Sequence, residues 1–464
     1  MNFNSWTNNV PSISDISMSK TTTSVSVSVG NSAYNNNLIY IHKNNWDINK
    51  NHWLKVASTY EDGDLSFIFY GDKRIKLPAN GYANIPAYPE FKNNYMYIST
   101  TSNKQGSFTI EQLPLYPGAL VFDGVDDYGT CDNFPILTKE KGYTVVALRQ
   151  YLVDKSTAYL TANGDSISNT SFILEGNNYR DTWNFGRATT IQASRILATQ
   201  TSKQYDGVKL NIGTNAEGSN LLQVGKWSKS YSNVAIWELV FLDHDATEEE
   251  LTKIKDYFVK TYPWLFPDQA WTVTGKTNED EDRATIANIT GNGNDLVLSN
   301  FGFIEGSGYN KEGEYAGYLV TDGVDDMIGS SIFEIGKDFT IIGEWKFMDN
   351  IIANAGISKA LSLFVYNTNN GLRIFINNTT KGPVLNTKTL KAICSDGRVY
   401  SDDWSEMIVN EEQPITSSKS SLLIGINGNN FAKIALKNLA IYNQILSKDD
   451  CIKAYNYLQT LKAK

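Results

Sequence analysis

The stretch LVFDGVDD at residues 120–127 returns as LVTDGVDD at residues 319–326. Outward from this pair, three further matches follow in the same order: YTVV (143–146) with FTII (339–342), LQVG (222–225) with LLIG (422–425), and ELVFL (238–242) with NLAIY (438–442). Their offsets are 199, 196, 200 and 200 residues. Matches that keep both order and spacing predict a duplicated structural unit.

Each copy is predicted to end in one amphipathic helix. Thr247 and Glu250 have the spacing of a capping box, in which each side chain bonds the backbone amide of the other residue. Apolar residues follow at helical spacing in the first copy, at Leu251, Ile254, Tyr257 and Phe258, and Pro263 ends the helix. The second copy has Ser447 as the cap and the equivalent positions Cys451, Ala454, Tyr457 and Leu458.

The remaining pattern predicts short antiparallel strands. Aliphatic residues recur at every second position, at Leu363 and Val365 and at Leu372, Ile374 and Ile376, and the intervening NNG at 369–371 is a hairpin signal. Alternation at 25–29, 65–69 and 108–110 predicts a separate N-terminal β-domain. We therefore predict an all-β chain: an N-terminal β-sandwich at 1–116, then two tandem jelly-roll sandwiches at 117–266 and 267–464, each closed by a short C-terminal α-helix.

Two resemblances follow from these motifs. The FDGVDDY sequence at 122–128, the alternating strands, the LQVG strand and the capped terminal helix resemble the laminin-G/concanavalin A-like lectin family. The segments GKTNEDEDRATI (275–286), TGNGNDLVLSNF (290–301) and GSGY (306–309) resemble segments of virion proteins of Bacteroides-infecting tailed phages, including the crAss-like group. The second resemblance implies a head fibre, a tail fibre or a baseplate decoration protein.

Composition argues against several classes of partner. The net charge is −9 and no basic run is present, so we expect no nucleic-acid partner. No stretch reaches the roughly 20 apolar residues of a membrane helix, and we expect no membrane insertion. The first residues lack the basic and apolar regions of a signal peptide, so we expect synthesis in the host cytoplasm and localisation in the virion. The three cysteines are far apart, which predicts reduced, buried thiols.

The two DGVDD sequences are the candidate metal site. Asp123, Asp126 and Asp127, and again Asp322, Asp325 and Asp326, place three carboxylates within five residues, and carboxylate oxygens are ligands that Ca²⁺ prefers. Lectin-like relatives implied by the resemblance bind Ca²⁺, although through varied positions. The alternative is a tight turn, in which Gly adopts a positive φ and the Asp side chains bond nearby amides. We favour the turn and keep calcium as a possible cofactor.

Aromatic residues in polar surroundings are candidates for glycan binding, because sugars stack on exposed rings at the loop ends of a sandwich. The alternative is that each ring covers the edge of the core or a subunit interface. The candidates are Tyr179, Trp183, Trp227, Tyr231, Tyr309 and Trp404.

The functional expectation is a non-enzymatic virion structural protein. Its lectin-like domains would adhere to host surface glycans, and its N-terminal domain would bind other virion proteins. A homo-oligomer, dimer or trimer, is expected without a coiled coil, since no heptad run is present. The alternative is a calcium-dependent glycan-binding lectin of a bacterial surface. A concanavalin-like glucanase is disfavoured because the E-x-D-x-x-E pattern of paired carboxylates is missing, and NEDEDR at 278–283 is expected to be a solvated loop.

Overall fold

The structure is a computed structural model, and contacts divide the chain into two compact units, 1–117 with 400–407 and 118–399 with 408–464. The residues that it describes are 5, 7–8, 16–21, 24–30, 37–48, 52–61, 63–85, 88–101, 105–113, 116–138, 140–152, 159–165, 172–175, 197–202, 219–348, 356–359, 363–368, 371–376, 390–402, 404–408, 418–427, 430–461 and 463.

Residues 1–117 form two five-stranded antiparallel sheets. The strands are β1 (Thr7–Asn8), β2 (Ile16–Lys20), β3 (Ser24–Val29), β4 (Asn37–His42), β5 (His52–Ser58), β6 (Leu65–Phe69), β7 (Lys73–Lys76), β8 (Asn80–Ile85), β9 (Tyr95–Thr100) and β10 (Gly106–Leu113). One sheet has the order β1-β4-β9-β6-β7 and the other the order β2-β3-β10-β5-β8.

Both of these sheets contribute to one apolar core. Alternation places Val25, Val27 and Phe108 of one sheet inside, together with Phe67 and Ile98 of the other. Serines occupy the alternate positions of β3, so the side chains of that strand separate into an apolar and a polar set. Two sheets that share one core in this way form a sandwich.

Residues 118–261 form a second pair of sheets. The elements are β11 (Leu120–Asp123), β12 (Gly129–Cys131), β13 (Thr144–Tyr151), β14 (Tyr159–Asn163), β15 (Phe172–Glu175), β16 (Leu197–Thr201), β17 (Leu222–Val224), β18 (Lys226–Trp227), β19 (Ser230–Tyr231), β20 (Asn233–Leu242) and helix α1 (Glu248–Thr261). The sheet orders are β11-β20-β13-β16 and β12-β17-β14-β15, and β18 pairs with β19.

Residues 263–458 form a third and larger pair. A 3-10 turn (Pro263–Leu265) precedes strands β21 (Gln269–Thr272), β22 (Thr285–Ile286), β23 (Leu296–Ser299), β24 (Gly308–Tyr309), β25 (Leu319–Val320), β26 (Met327–Ile335), β27 (Thr340–Phe347), β28 (Gly356–Lys359), β29 (Leu363–Thr368), β30 (Gly371–Ile376), β31 (Ala392–Cys394), β32 (Arg398–Tyr400), β33 (Glu406–Ile408), β34 (Ser418–Ile424), β35 (Ile426–Asn427), β36 (Asn430–Phe431), β37 (Ile434–Tyr442) and helix α2 (Lys448–Leu458).

The third pair consists of one eight-stranded sheet and one seven-stranded sheet. One runs β24-β25-β37-β27-β31-β32-β33, with β21 also paired to β37, and the other runs β22-β23-β26-β34-β28-β29-β30. The pairings given for both sheets are antiparallel, as between β27 and β37 and between β26 and β34. The prediction of an all-β chain built from several stacked sheets is therefore confirmed at this coarser level.

Two further sequence expectations concern membrane helices and cysteines. Among the described helices, none has the length and hydrophobicity of a membrane-spanning segment. Cys394 and Cys451 are buried as expected, but Cys131 is exposed. The expectation of a buried thiol at position 131 is therefore wrong, because Cys131 ends the short strand β12 with an exposed side chain.

Candidate functional site

The first DGVDD sequence folds as a tight acidic loop between β11 and β12. The Asp123 Oδ1 atom accepts from the Val125 amide at 2.7 Å and from the Asp126 amide at 3.4 Å. Asp127 Oδ2 accepts from the Asp123 amide at 3.3 Å. Gly124 takes a φ of 78° at the corner, a backbone conformation that glycine adopts at low cost. These bonds are the turn geometry that the sequence favoured.

The second DGVDD sequence repeats this turn with closer contacts. Asp322 Oδ1 accepts from the Val324 amide at 2.7 Å, and Asp326 Oδ2 accepts from the Asp322 amide at 2.7 Å. Asp326 is only 1% exposed, whereas Asp127, its counterpart in the first loop, is exposed. Burial raises the pKa of the Asp326 carboxyl above its ordinary value, and this effect exceeds the opposing hydrogen bonds from the Asp322 amide and Ser307.

The difference between the loops comes from the segment that precedes the second one. Ser307 Oγ donates to Asp326 Oδ1 at 3.1 Å, and the Gly302 amide donates to Ser307 Oγ at 2.8 Å. Asn300 Nδ2 donates to the backbone oxygen of Asp325 at 3.0 Å. Residues 300–307 thus cover part of the second loop, while all three Asp side chains of the first loop are exposed.

A cation and two aromatic rings lie next to the first loop. The Lys226 ammonium is 3.9 Å from the centre of the Tyr128 ring and 5.1 Å from that of Tyr231. The two rings are 6.0 Å apart and inclined by 56°. Tyr128 directly follows the acidic loop, and Lys226 and Tyr231 belong to the paired strands β18 and β19. We call Tyr128, Lys226 and Tyr231 the loop-end cluster.

This cluster is accessible from solvent. Tyr128 is 48% exposed, and Lys226 and Tyr231 are half-buried. A cation held over aromatic faces at this distance is attracted by the ring quadrupoles. The cluster therefore presents aromatic surface, two phenol groups and one ammonium group beside three exposed carboxylates. Such a mixture can stack on a sugar ring and hydrogen-bond its hydroxyl groups.

The predicted aromatic sites have different outcomes. Tyr231 belongs to the loop-end cluster, and half-buried Trp227 packs against the core of residues 122–241. Tyr309 and Trp404 are 3% and 1% exposed, so the expectation of accessible rings at these two positions is wrong. Tyr179 and Trp183 lie outside the described residues.

Tyr309 is buried because the segment before the second loop folds around it. Its amide donates to Asn278 Oδ1 at 2.7 Å, and its hydroxyl donates to the Arg283 backbone oxygen at 2.8 Å. Gly308 has no room for a side chain, since an added Cβ would lie 2.5 Å from Asn278 Oδ1. Trp404 is packed 6.0 Å from the Tyr400 ring at a φ of 64°. Both rings thus serve packing, the alternative that the sequence left open.

Sequence reasoning missed Tyr128 and Lys226. The available signal was the comparison of the two copies, since the equivalent residues of the second copy are Met327 and Ile426. Phe431 likewise stands where the first copy has Tyr231. A polar aromatic cluster in one copy and an apolar set in the other indicate that the first copy differs in its surface chemistry at this end.

The acidic loops fit calcium only in part. In each loop, one oxygen from each of three carboxylates lies within 4.8 Å of the others. Ca²⁺ takes six to eight oxygen ligands, and amides already donate to oxygens of Asp123 and Asp127. In the second loop, the Asp326 carboxyl is buried and both of its oxygens accept hydrogen bonds. Calcium at the first loop stays a prediction, and the second loop is the poorer fit.

Comparisons with known proteins add little to this geometry. No family model matches the chain, and no curated protein matches it. Among solved structures it is similar to Trypanosoma rangeli sialidase, at 11% identity over 50% of this chain and 41% of the sialidase, with a TM-score of 0.28. A mutant of HCR/D matches at 11% identity over 41% of this chain and 51% of that chain, also with a TM-score of 0.28. A complex of the sialidase with 2,3-difluorosialic acid, a covalent intermediate, matches at 10% identity over 95% of this chain and 83% of that chain, with a TM-score of 0.31.

These comparisons correct one expectation. The sequence led us to expect that the chain is not an enzyme, but the solved structures with which it aligns include several sialidases, which are enzymes. We therefore withdraw that expectation. The similarity itself assigns no activity to this chain, because the TM-score reaches only 0.31 and the identity only 10% in the complex with 2,3-difluorosialic acid.

Proposed function

We propose that the chain is a structural protein of a phage virion appendage or decoration that adheres to host surface glycans. Residues 117–266 and 267–464 would be two tandem laminin-G-like sandwiches, and the N-terminal β-domain would bind other virion proteins. The loop-end cluster of the first sandwich would be the glycan-binding site. The observation that carries this proposal is the exposed contact among Tyr128, Lys226 and Tyr231.

Matching strand orders support the duplication. The order β11-β20-β13-β16 corresponds to β25-β37-β27-β31, and β12-β17-β14-β15 corresponds to β26-β34-β28-β29. The register shift between Leu148 and Arg149 has its counterpart between Glu344 and Trp345. A β-bulge is a specific local feature of a strand pair, so its presence at the same position in both copies favours a common origin.

Matching hydrogen bonds support it as well. Thr144 Oγ1 donates to the His244 backbone oxygen at 2.9 Å and accepts from the Ala246 amide at 2.7 Å. Thr340 Oγ1 donates to the Gln444 backbone oxygen at 2.8 Å and accepts from the Leu446 amide at 2.9 Å. Both threonines start the strand that pairs with the last strand of their copy, and each bond pair fixes the chain just before the helix.

The exposure of the acidic loop and of the loop-end cluster in the first copy supports a glycan-binding role for this part of the chain. Its acidic loop is exposed, and its cluster offers rings, hydroxyl groups and a cation within a small area. In the second copy residues 300–307 cover part of the corresponding loop, and the side chains equivalent to the loop-end cluster are apolar. The virion context is supported by the resemblance of residues 275–309 to phage virion proteins.

A glycan array with the full-length chain tests the binding role. We expect binding to a subset of bacterial surface glycans, and at least tenfold weaker binding by the variant Tyr128→Ala/Tyr231→Ala. Met327→Ala, at the equivalent position of the second copy, is the matched control and should bind as the unmodified chain does. Binding that survives the double substitution would remove the loop-end cluster from the proposal. Arrays with and without EDTA show whether calcium contributes.

The virion context has its own test. Mass spectrometry of purified particles should detect the chain, and antibodies against it should label an appendage or the capsid surface in electron micrographs. Particles that lack the chain would contradict the virion proposal and leave the glycan-binding test unaffected.

A further inference from the structure

One face of the N-terminal sheet β1-β4-β9-β6-β7 carries a group of tyrosines. Cross-strand partners lie on the same face of a sheet, and the register pairs Tyr40 with Tyr97 and His42 with Tyr95. The Tyr70 amide donates to the Tyr95 backbone oxygen at 3.3 Å, so Tyr70 continues β6 on that face. The alternate residues of the same strands, such as Phe67 and Ile98, lie on the opposite face and belong to the core.

The rings touch one another in a continuous group. The ring centres of Tyr40 and Tyr95 are 5.4 Å apart, and those of Tyr70 and Tyr97 are also 5.4 Å apart. Tyr97 lies between them, 6.1 Å from Tyr40 and 6.5 Å from Tyr95. The His42 ring extends the group, 5.4 Å from Tyr95. We call Tyr40, His42, Tyr70, Tyr95 and Tyr97 the tyrosine face.

The tyrosine face is accessible although its members are aromatic. Tyr70 is 52% exposed and Tyr95 is 40% exposed, while Tyr40 and Tyr97 are half-buried. Burial raises the pKa of Tyr97, and the phenols of Tyr70, Tyr95 and Tyr40 raise it further. The Tyr97 phenol therefore stays neutral well above physiological pH and can both donate and accept hydrogen bonds. A contiguous exposed aromatic group of this kind marks an interaction surface.

Two cations lie on the same face of the same sheet. The register pairs Ile68 with both Tyr97 and Arg74, and Ser66 with Lys76, so Arg74 and Lys76 stand on the face that carries the tyrosines. Both side chains are exposed, and neither forms an ion pair within the described part of the chain. No acidic residue occupies this face among the described strand positions.

The N-terminal unit is also less acidic than the rest of the chain. Residues 1–117 contain nine Lys and Arg against eight Asp and Glu, and residues 400–407 of the same unit add three acidic residues, so the unit has a net charge of −2. The whole chain carries −9 and the remaining residues therefore carry −7. An anionic ligand is thus repelled less by the N-terminal unit than by the rest of the chain, and the two exposed cations on the tyrosine face attract it.

We propose that the tyrosine face is a second binding site, separate from the loop-end cluster, and that it takes an acidic polysaccharide. The phenol rings would stack on successive sugar rings, since Tyr offers a flat apolar face and a hydroxyl at its edge. Arg74 and Lys76 would bind the carboxylates of uronic acid units, Arg74 through a bidentate pair. A polynucleotide is a poorer fit, because its affinity depends on neutralising many phosphates and this face supplies two cations.

Binding of the full-length chain to uronic acid polymers tests this site. The probes are polygalacturonate, alginate and hyaluronate, each compared with its uncharged methyl ester, by affinity electrophoresis and calorimetry. We expect binding to at least one acidic polymer and at least tenfold weaker binding to its ester. Tyr95→Ala/Tyr97→Ala should weaken binding at least tenfold, and Arg74→Ala/Lys76→Ala should abolish the preference for the acidic form.

Two controls separate this site from its alternatives. Tyr257→Ala removes an exposed tyrosine of helix α1 and should bind as the unmodified chain does, as should the loop-end variant Tyr128→Ala/Tyr231→Ala. Lack of binding to all three polymers, or binding that survives Tyr95→Ala/Tyr97→Ala, would overturn the proposal. Tighter binding to oligo(dT) than to any uronate would also overturn it, as would self-association that the Tyr95→Ala/Tyr97→Ala variant loses.

Discussion

At the scale of the residue, identical side chains acquire different chemistry in the two copies. Asp127 and Asp326 stand at the same position of the DGVDD sequence, but the first is exposed and the second is 1% exposed. Burial is the largest cause of the raised pKa of the Asp326 carboxyl. The bonds that Asp326 receives from Ser307 and the Asp322 amide hold it in place.

Substitutions at Asp326 should distinguish the contribution of its hydrogen bonds to stability from the contribution of its negative charge. Asp326→Ala removes two acceptors from a buried site and should destabilise the chain by about 1–3 kcal/mol. Asp326→Asn can still accept from the Asp322 amide and donate to Ser307, so it should cost far less. Asp127→Ala, at the exposed equivalent, should stay within about 0.5 kcal/mol. Urea unfolding of the three variants measures these differences, and equal losses at Asp127 and Asp326 would contradict the assignment.

The raised pKa of Asp326 also predicts a pH dependence. The folded state binds a proton on this carboxyl more readily than the unfolded state does. Its contribution to stability therefore falls as pH rises from the ordinary Asp pKa through the raised folded value. The Asp326→Asn variant should lack this fall. Unfolding curves of the chain and the variant across the acidic pH range test the sign, and identical slopes would contradict it.

Cysteine reactivity tests the burial of single side chains. Cys131 is exposed, whereas Cys394 and Cys451 are buried, and Thr340 Oγ1 is 3.8 Å from the Cys394 sulfur. We expect one thiol to react with Ellman's reagent in the folded chain and two more only in denaturant. Cys131→Ser should remove the fast reaction. Fast reaction of two or three thiols without denaturant would contradict the burial of Cys394 and Cys451.

At the scale of the element, local signals in the sequence correctly located both helices. The capping box of Thr247 and Glu250 forms as predicted, with the Glu250 amide bonded to Thr247 Oγ1 at 3.3 Å and the Thr247 amide bonded to Glu250 Oε2 at 2.8 Å. Ser447 Oγ accepts from the Asp450 amide at 3.1 Å in the second copy. The long loops between strands gave no comparable signal, so the covering role of residues 300–307 was not predicted.

The N-terminal capping box should stabilise helix α1 measurably. Thr247→Ala should cost about 1 kcal/mol because an amide of the first turn loses its acceptor. Hydrogen bonds from the Thr247 amide and the His244 side chain lower the pKa of Glu250 to about 2. Hydrogen bonds that the His244 ring donates to the Asp243 and Glu250 carboxylates raise the pKa of His244. The Glu250 contribution is lost as pH falls through about 2, and the His244 contribution is lost as pH rises through its raised folded value. Hydrogen exchange of the helix α1 amides measures the cap, with Ser447→Ala as the matched variant.

At the scale of the whole molecule, the two proposed sandwiches differ at one end. The first keeps its acidic loop and loop-end cluster exposed, while the loop of the second is partly covered by its own preceding segment. The N-terminal unit has its own apolar core and carries the exposed tyrosine face. The two proposed binding surfaces would suit a protein that contacts several partners.

The proposed duplication predicts that equivalent substitutions in the two copies have equal effects. Thr144→Val and Thr340→Val keep the side-chain volume but leave the Ala246 and Leu446 amides without their acceptors. Each substitution should lower the local stability of its own copy by about 1–3 kcal/mol. Hydrogen exchange of peptides covering 239–250 and 439–450 measures each copy separately. An effect in one copy alone would argue against equivalent architecture.

Elements that depend on local interactions could be predicted from the sequence alone. Period-two alternation predicted the strands, the capping residues predicted both helices, and Asp-Gly predicted the two tight turns, because each depends on neighbours a few residues apart. Tertiary structure decided which of these features are accessible. Burial of Asp326 and Tyr309, exposure of Asp127, and the meeting of Tyr128 with Lys226 all depend on contacts between segments distant in sequence. The tyrosine face likewise exists only because strand register brings Tyr40, Tyr70 and Tyr95 together, and alternation within one strand cannot reveal which strand lies beside it.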